Sequence, residues 1–265
     1  VIELKTTKVL AHVEDGIGWL TFNNPERRNA ISLEMWAGMG DALDAFQQDD
    51  AVRVVVMKGA GGKAFASGAD ISEFDQHRAN AQQRKEYGEI SDRGRSGLAG
   101  FNKPLIGMIQ GFCIGGGLAV ALSADVRFAT AGSTFGIPAG KLGLGYEYAG
   151  VAALARLVGP SVARDLLFSA RFVKTDEALR MGLINFVVEE DQLQDRVQAY
   201  AASIAANAPL TVRAAKAAVR AFERYSQASA SDEVAAMVDA CFNSADYAEG
   251  RTAFMEKRAP KFVGR

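Results

Sequence analysis

The stretch "KPLIGMIQGFCIGGGLAVALSADVRFA", residues 103–129, decides how the chain folds. Leu105 to Leu122 is almost free of polar residues, Gln110 being the exception. A run of that length invites a membrane-helix reading, and Gly111 and Gly115 even give the GxxxG spacing of packed membrane helices. The glycines argue against it. Gly107, Gly111 and the run Gly115 to Gly117 would each cost a helix about 1 kcal/mol relative to alanine. Pro104 and Asp125 bound the run tightly. A buried strand over Leu105 to Ile109, a glycine loop, a short helix near Leu118 to Ser123 and a short strand over Val126 to Ala129 fit better.

Outward from this stretch the pattern repeats. Gly16 to Asn23 (GIGWLTFN) reads as a strand ending at Asn24-Pro25. Ser32 is placed to cap a helix that carries Leu33, Trp36, Met39, Leu43 and Phe46 on one side. The β-branched run Val52 to Met57 reads as a buried strand, and Lys58 to Gly62 as a loop. Beyond Pro160 the chain turns helical. Helices are expected over Ser161 to Ser169, from a cap at Thr175 to near Gly182, and over Asp191 to Asn207, Thr211 to Gln227, Ser231 to Asn243 and Asp246 to Lys257. A last strand falls at Ile184 to Val188. The alternation makes an α/β core over residues 1–199, with a helical region over 200–265.

Composition excludes several classes of function. With 49% hydrophobic and 23% charged residues the chain can bury a sizeable core. A formal net charge of -1 argues against a general nucleic-acid binder. Cys113 and Cys241 make no disulfide framework, so the cytoplasm is the expected compartment. The start VIELKTTKVLAHVEDG lacks a basic segment followed by an apolar run, so no secretion signal is expected. His12 and His77 belong to no ligand spacing, and no metal is expected. Lys58 to Lys63 (KGAGGK) is not a phosphate-binding P-loop, because Met57 and Ala64 stand where Gly and Ser/Thr are required.

Two small-residue loops remain. In FASGADISEF, residues 65–74, the small residues Ala66, Ser67, Gly68 and Ala69 let a ligand approach the backbone, and Asp70 is placed to cap a following helix. The feature recurs at Gly115 to Gly117. Two such loops, each entering a helix, can bring one N–H each to a single carbonyl oxygen, which is an oxyanion hole.

Together these stretches resemble the crotonase superfamily, the enoyl-CoA hydratase/isomerase family. The resemblance rests on Asn24-Pro25 to Asn29-Ala30, FASGADISEF, KPLIGMIQGFCIGGG, SADVRFA, FGIP, KLGL and the tail GRTAFMEKRAPKFV, and covers nearly the whole chain. It implies a spiral of ββα turns, a helical trimerisation region, and a homotrimer or a dimer of trimers. It implies an acyl-CoA thioester as substrate, coenzyme A being part of that substrate rather than a tightly bound cofactor. It places oxyanion-hole donors at Ala69 and Gly116. Coenzyme A contacts are implied at Arg27, Arg28, Ala30, Gly68 and Lys257, with Ala64 and Ala66 offering carbonyls to the adenine amine. Phe74, Ile137 and Leu144 are the expected walls of the acyl pocket.

One departure bears on the chemistry. The family's hydratases hold a water between two glutamates, and the matching positions here are Ala119 and Ala139. Alanine transfers no proton, so feeble hydration is expected. The chain offers Glu147 instead, in Leu142-Gly143-Leu144-Gly145-Tyr146-Glu147, where certain isomerases of the superfamily carry a carboxylate. Burial among Leu142, Leu144, Tyr146, Tyr148 and Val151 would suit Glu147 to move a proton between C2 and C4 of an enoyl-CoA. Tyr146 is the rival group. Methylmalonyl-CoA decarboxylases of this superfamily carry a tyrosine at the same spacing and a similar tail. Isomerisation of an enoyl-CoA, decarboxylation, weak hydration and acyl-CoA binding without turnover all stay open at this point.

Overall fold

The structure is a computed structural model, and it describes residues 1–70, 81–207, 209–225, 239, 242–258 and 260. Among these, ten strands form two sheets. The larger has the order β1-β2-β3-β5-β7-β10: Val9–Glu14, Ile17–Phe22, Val54–Gly59, Leu105–Ile109, Val126–Thr130 and Phe186–Val188. β1 runs antiparallel to β2 and the rest are parallel. The smaller has the order β4-β6-β8-β9: Ala64–Ala66, Phe112–Ile114, Thr134–Gly136 and Val173–Lys174.

Strand pairs β3/β4, β5/β6 and β7/β8 each place their first member in the large sheet and their second in the small one. The chain therefore winds as a spiral, and each turn needs a sharp corner. Gly111 makes one of them, with φ +72 and a position where a Cβ would lie 2.1 Å from the Lys63 carbonyl oxygen. The glycine that disqualified a membrane helix is the corner that sends the chain from one sheet to the other. Among the described residues no helix is long and apolar enough to cross a membrane.

The apolar run Val54 to Met57 is buried on both faces, as parallel strands are. Val55 and Met57 face the main core with helix α1 (Leu33–Gln48). Val54 and Val56 face the other way and pack with Leu193, Val197 and Ala201. Ser32 caps α1 as expected, its hydroxyl accepting from the Met35 N–H at 3.3 Å. Helix α2 (Ala81–Gly100) lies against α1, where a Cβ on Gly94 would stand 2.5 Å from the Trp36 carbonyl oxygen. The remaining helices are α3 (Gly116–Leu122), α4 (Tyr148–Ser169), α5 (Thr175–Arg180), α6 (Leu193–Ala205), α7 (Pro209–Tyr225) and α8 (Ala245–Met255).

Helix α6 runs through residues 199 and 200 and packs on the large sheet through residues on either side of them. Two expectations are corrected. The helix expected from Ser161 begins at Tyr148 and continues past Gly159, whose φ of +78 kinks it ahead of Pro160. Thr175 opens α5 without capping it, because its hydroxyl donates to the carbonyls of Thr130 and Ser133. The helix expected after Asp70, and most of that over Ser231 to Asn243, lie outside the described residues.

Arg127 on β7 ties these parts together. It is 2% exposed. Its guanidinium donates to the carbonyls of Ala121 and Ala124 at the end of α3, and to Leu183 between α5 and β10. Burial pushes its pKa down from the usual value, with the Asp125 charge opposing the shift. Arg127→Met keeps apolar bulk but leaves buried carbonyls without a donor. An unfolding free energy lower by about 3 kcal/mol is expected, read by urea titration.

Candidate active site

The site begins where two strands of the small sheet end. After β4 the chain turns through Gly68, at φ +116. Ala69 then pairs with Ile31 in a short parallel bridge. The Ile31 N–H donates to the Gly68 carbonyl at 2.8 Å, and the Asp70 N–H to the Ile31 carbonyl at 3.0 Å. That bridge uses the amides on one side of the strand and leaves the Ala69 N–H on the other. After β6 the chain turns through Gly115, at φ +53, whose N–H donates to the Gly136 carbonyl at 2.8 Å. Helix α3 then starts at Gly116, and a Cβ there would sit 3.3 Å from the Ala69 nitrogen. Among the described residues, neither the Ala69 nor the Gly116 N–H donates to a protein acceptor. Two unengaged backbone donors thus stand side by side.

Side chains complete the surroundings. The Tyr146 hydroxyl donates to the Gly115 carbonyl at 3.2 Å, one residue from Gly116. Gly150 makes room for the ring, since a Cβ there would lie 2.7 Å from it. Glu147 goes elsewhere. Its side chain is 46% exposed and lies 3.7 Å from Nη1 of Arg95 on α2. The expected burial of Glu147 among apolar neighbours is therefore not observed. The backbone is extended at Glu147, so successive side chains part to opposite sides, Tyr146 inward and Glu147 outward. Ala119 is half-buried on α3, and Ala139 is buried in the turn Pro138–Leu142. Cys113 is no nucleophile, because complete burial pushes its thiol far up and keeps it protonated.

The expected coenzyme A contacts fall into two groups. Arg27 and Arg28 are exposed on one loop, Arg27 reaching Asp70 at 3.4 Å and Arg28 lying 5.0 Å from the Phe112 ring centre. Ala30 and Gly68 flank that loop, both nearly buried. Ala64 and Ala66 are both in the core, and the Ala64 carbonyl accepts from the buried Asn29 amide at 2.8 Å. The Ala66 carbonyl is covered by Gly117, where a Cβ would lie 2.1 Å from it. Of this run it is Ser67 and Ala69 that reach the surface. Lys257 is exposed beyond α8, and no hydrogen bond or ion pair joins it to the Arg27 loop among the described residues. Ile137 is a core residue, Leu144 packs against Phe242 and Tyr247, and Phe74 lies outside the described residues.

Sequence reasoning missed Asn29, Arg95 and Arg127. A charged residue inside the apolar stretch Val126 to Ala129 was the available signal for Arg127. Nothing local marked Arg95, since its partner Glu147 is distant in sequence. Among the described residues no group of three His, Cys, Asp or Glu side chains could hold a metal ion.

A profile of enoyl-CoA hydratase/isomerase matches residues 12–265. The chain belongs to the enoyl-CoA hydratase/isomerase family. Within this family it is 34% identical to the short-chain-enoyl-CoA hydratase of Clostridium acetobutylicum, over 96% of this chain and 97% of that protein. It is 31% identical to the carnitinyl-CoA dehydratase of Salmonella arizonae, over 92% of this chain and 94% of the relative. Among solved structures, a methylmalonyl-CoA decarboxylase in complex with 2-nitronate-propionyl-CoA superposes with a TM-score of 0.88. It is 29% identical and is covered over 99% of its length by 98% of this chain. The fold is the crotonase ββα spiral, and the protein is an acyl-CoA enzyme of the enoyl-CoA hydratase/isomerase family.

The two adjacent glycines of α3 differ in what a methyl group would meet. Gly117→Ala should lower stability by about 1–3 kcal/mol through collision with the Ala66 carbonyl. Gly116→Ala should cost less, since its Cβ needs a shift of only a few tenths of an ångström. Urea titration of both variants checks the order.

Proposed function

We propose that the protein decarboxylates a 2-carboxyacyl-CoA, holding the thioester oxygen on the N–H groups of Ala69 and Gly116 while the enolate forms. The observation that carries this reading is Tyr146, whose hydroxyl reaches the glycine run while Glu147 turns away toward Arg95. The reaction breaks the bond between C2 and the carboxylate. Its electron pair moves into the thioester as an enolate, CO2 leaves, and C2 then takes one proton from water. No base is needed for the first step, so alanine at 119 and 139 is no handicap. Two backbone donors supply the main stabilisation, each worth about 3 kcal/mol where such donors have been removed. Tyr146 orients the leaving carboxylate once its hydroxyl, which donates to the Gly115 carbonyl in the free protein, turns to donate to the substrate instead. The likeness to a methylmalonyl-CoA decarboxylase supports the same reading. The Arg27 and Arg28 guanidinium groups are the cations that coenzyme A phosphates would meet.

Purified protein with methylmalonyl-CoA should release CO2. Tyr146→Phe should lower turnover about a hundredfold with thioester binding little changed. Full activity in that variant, or no CO2 from the natural chain, overturns the proposal. Crotonyl-CoA hydration should be slower than that of a hydratase with both glutamates by a factor of about a hundred to ten thousand.

A second reading keeps Glu147 as the acid/base of an enoyl-CoA isomerase. The observation in its favour is the looseness of the 3.7 Å contact that holds Glu147 beside Tyr146. Isomerisation of 3-hexenoyl-CoA, abolished by Glu147→Gln and kept by Tyr146→Phe, would establish it. Ester binding with no product from any of these substrates would mark a non-catalytic binder.

The assembly proposed is a trimer or a dimer of trimers. Phe168, Phe254 and Met255 are exposed at 80%, 52% and 64% in the single chain, which favours burial against other copies. Light scattering at micromolar protein should give three or six chains, and a monomer would overturn it.

A further inference from the structure

We infer that Arg95 is a specificity-determining residue, which pairs with Glu147 and so lets an acyl group bearing a negative charge at C2 approach Tyr146. The inference rests on the proposed decarboxylase reading of the site. In that reading an anionic group must settle beside Tyr146, and the next residue in the chain is a carboxylate. Left uncompensated, Glu147 would repel the substrate.

Arg95 is held in position from several sides. Its Nη2 donates to the Ser91 hydroxyl at 2.6 Å, and that buried hydroxyl donates to the Gly88 carbonyl at 3.1 Å. The guanidinium lies 5.8 Å from the centre of the Trp36 ring. Trp36 is itself fixed by the close approach of Gly94 to its backbone. The cation is thus in place before any ligand arrives, with Nη1 turned to Glu147. Both partners are partly exposed, so solvent screens the pair and its effect on selectivity is several-fold. The same exposure means that the charge can be removed without opening a buried void.

The test compares two ligands by equilibrium binding. One is a 2-sulfopropionyl-CoA, whose sulfonate keeps the charge at C2 and cannot leave as CO2. The other is propionyl-CoA. Arg95→Gln should weaken the sulfonated ligand about fivefold or more relative to propionyl-CoA, and adding Glu147→Gln should restore the ratio. Glu147→Gln alone should favour the sulfonated ligand several-fold, a reading that stands even if Arg95→Gln fails to fold. Equal weakening of both ligands, no change in the ratio, or a selective loss that the double variant does not restore each overturns the inference. Neither ligand loses CO2, so failure of decarboxylation by the natural chain would sink the proposed reaction while this charge cycle still gives its own answer.

Discussion

The approach of α3 to β4 is the contact on which the rest of the molecule depends. Gly117 lies against the Ala66 carbonyl with no room for a methyl group. Because the helix starts that close to the strand, the Gly116 amide comes to stand beside the Ala69 amide. Because both amides lie at the ends of strands in the small sheet, the sheet itself sets their spacing. Arg127 secures the far end of the same short helix by its carbonyls. A seven-residue helix has too little hydrogen bonding of its own to hold a position, so clamping at both ends gives it one.

Charge is divided in the same region with some economy. Tyr146 turns inward and Glu147 outward, although they are neighbours in the chain. The inward group is neutral, and the outward one meets a cation anchored on a different helix. The apolar interior therefore takes a hydroxyl and is spared the desolvation of a carboxylate.

Much of the fold was legible in the sequence because burial on both faces leaves a plain mark. Val54 to Met57 and Leu105 to Ile109 read directly as strands, and Ser32 as a cap. β1 escaped notice because His12 and Glu14 interrupt its apolar pattern. β4, β6, β8 and β9 have three residues or fewer, too short for any periodicity to show. At the site, the two small-residue loops stand out because small residues mark close backbone approach, while the choice of Ala69 and Gly116 within them comes from the family resemblance. The side chains were harder. A carboxylate among apolar neighbours in sequence reads as a buried one, whereas Glu147 is 46% exposed. Its direction depended on an extended backbone step and on Arg95, and neither is visible locally.

The unengaged donors of this site belong to the main chain. No side-chain substitution can delete an amide hydrogen except replacement by proline. The proposed means of holding an oxyanion is thus written into the path of the backbone, apart from the side chains proposed to act on it. Positions such as 119, 139, 146 and 147 can then be exchanged with little risk to that shared apparatus. A protein built this way is open to a change of reaction by a few substitutions, and laboratory selection for a new acyl-CoA chemistry could begin at those four positions without rebuilding the scaffold.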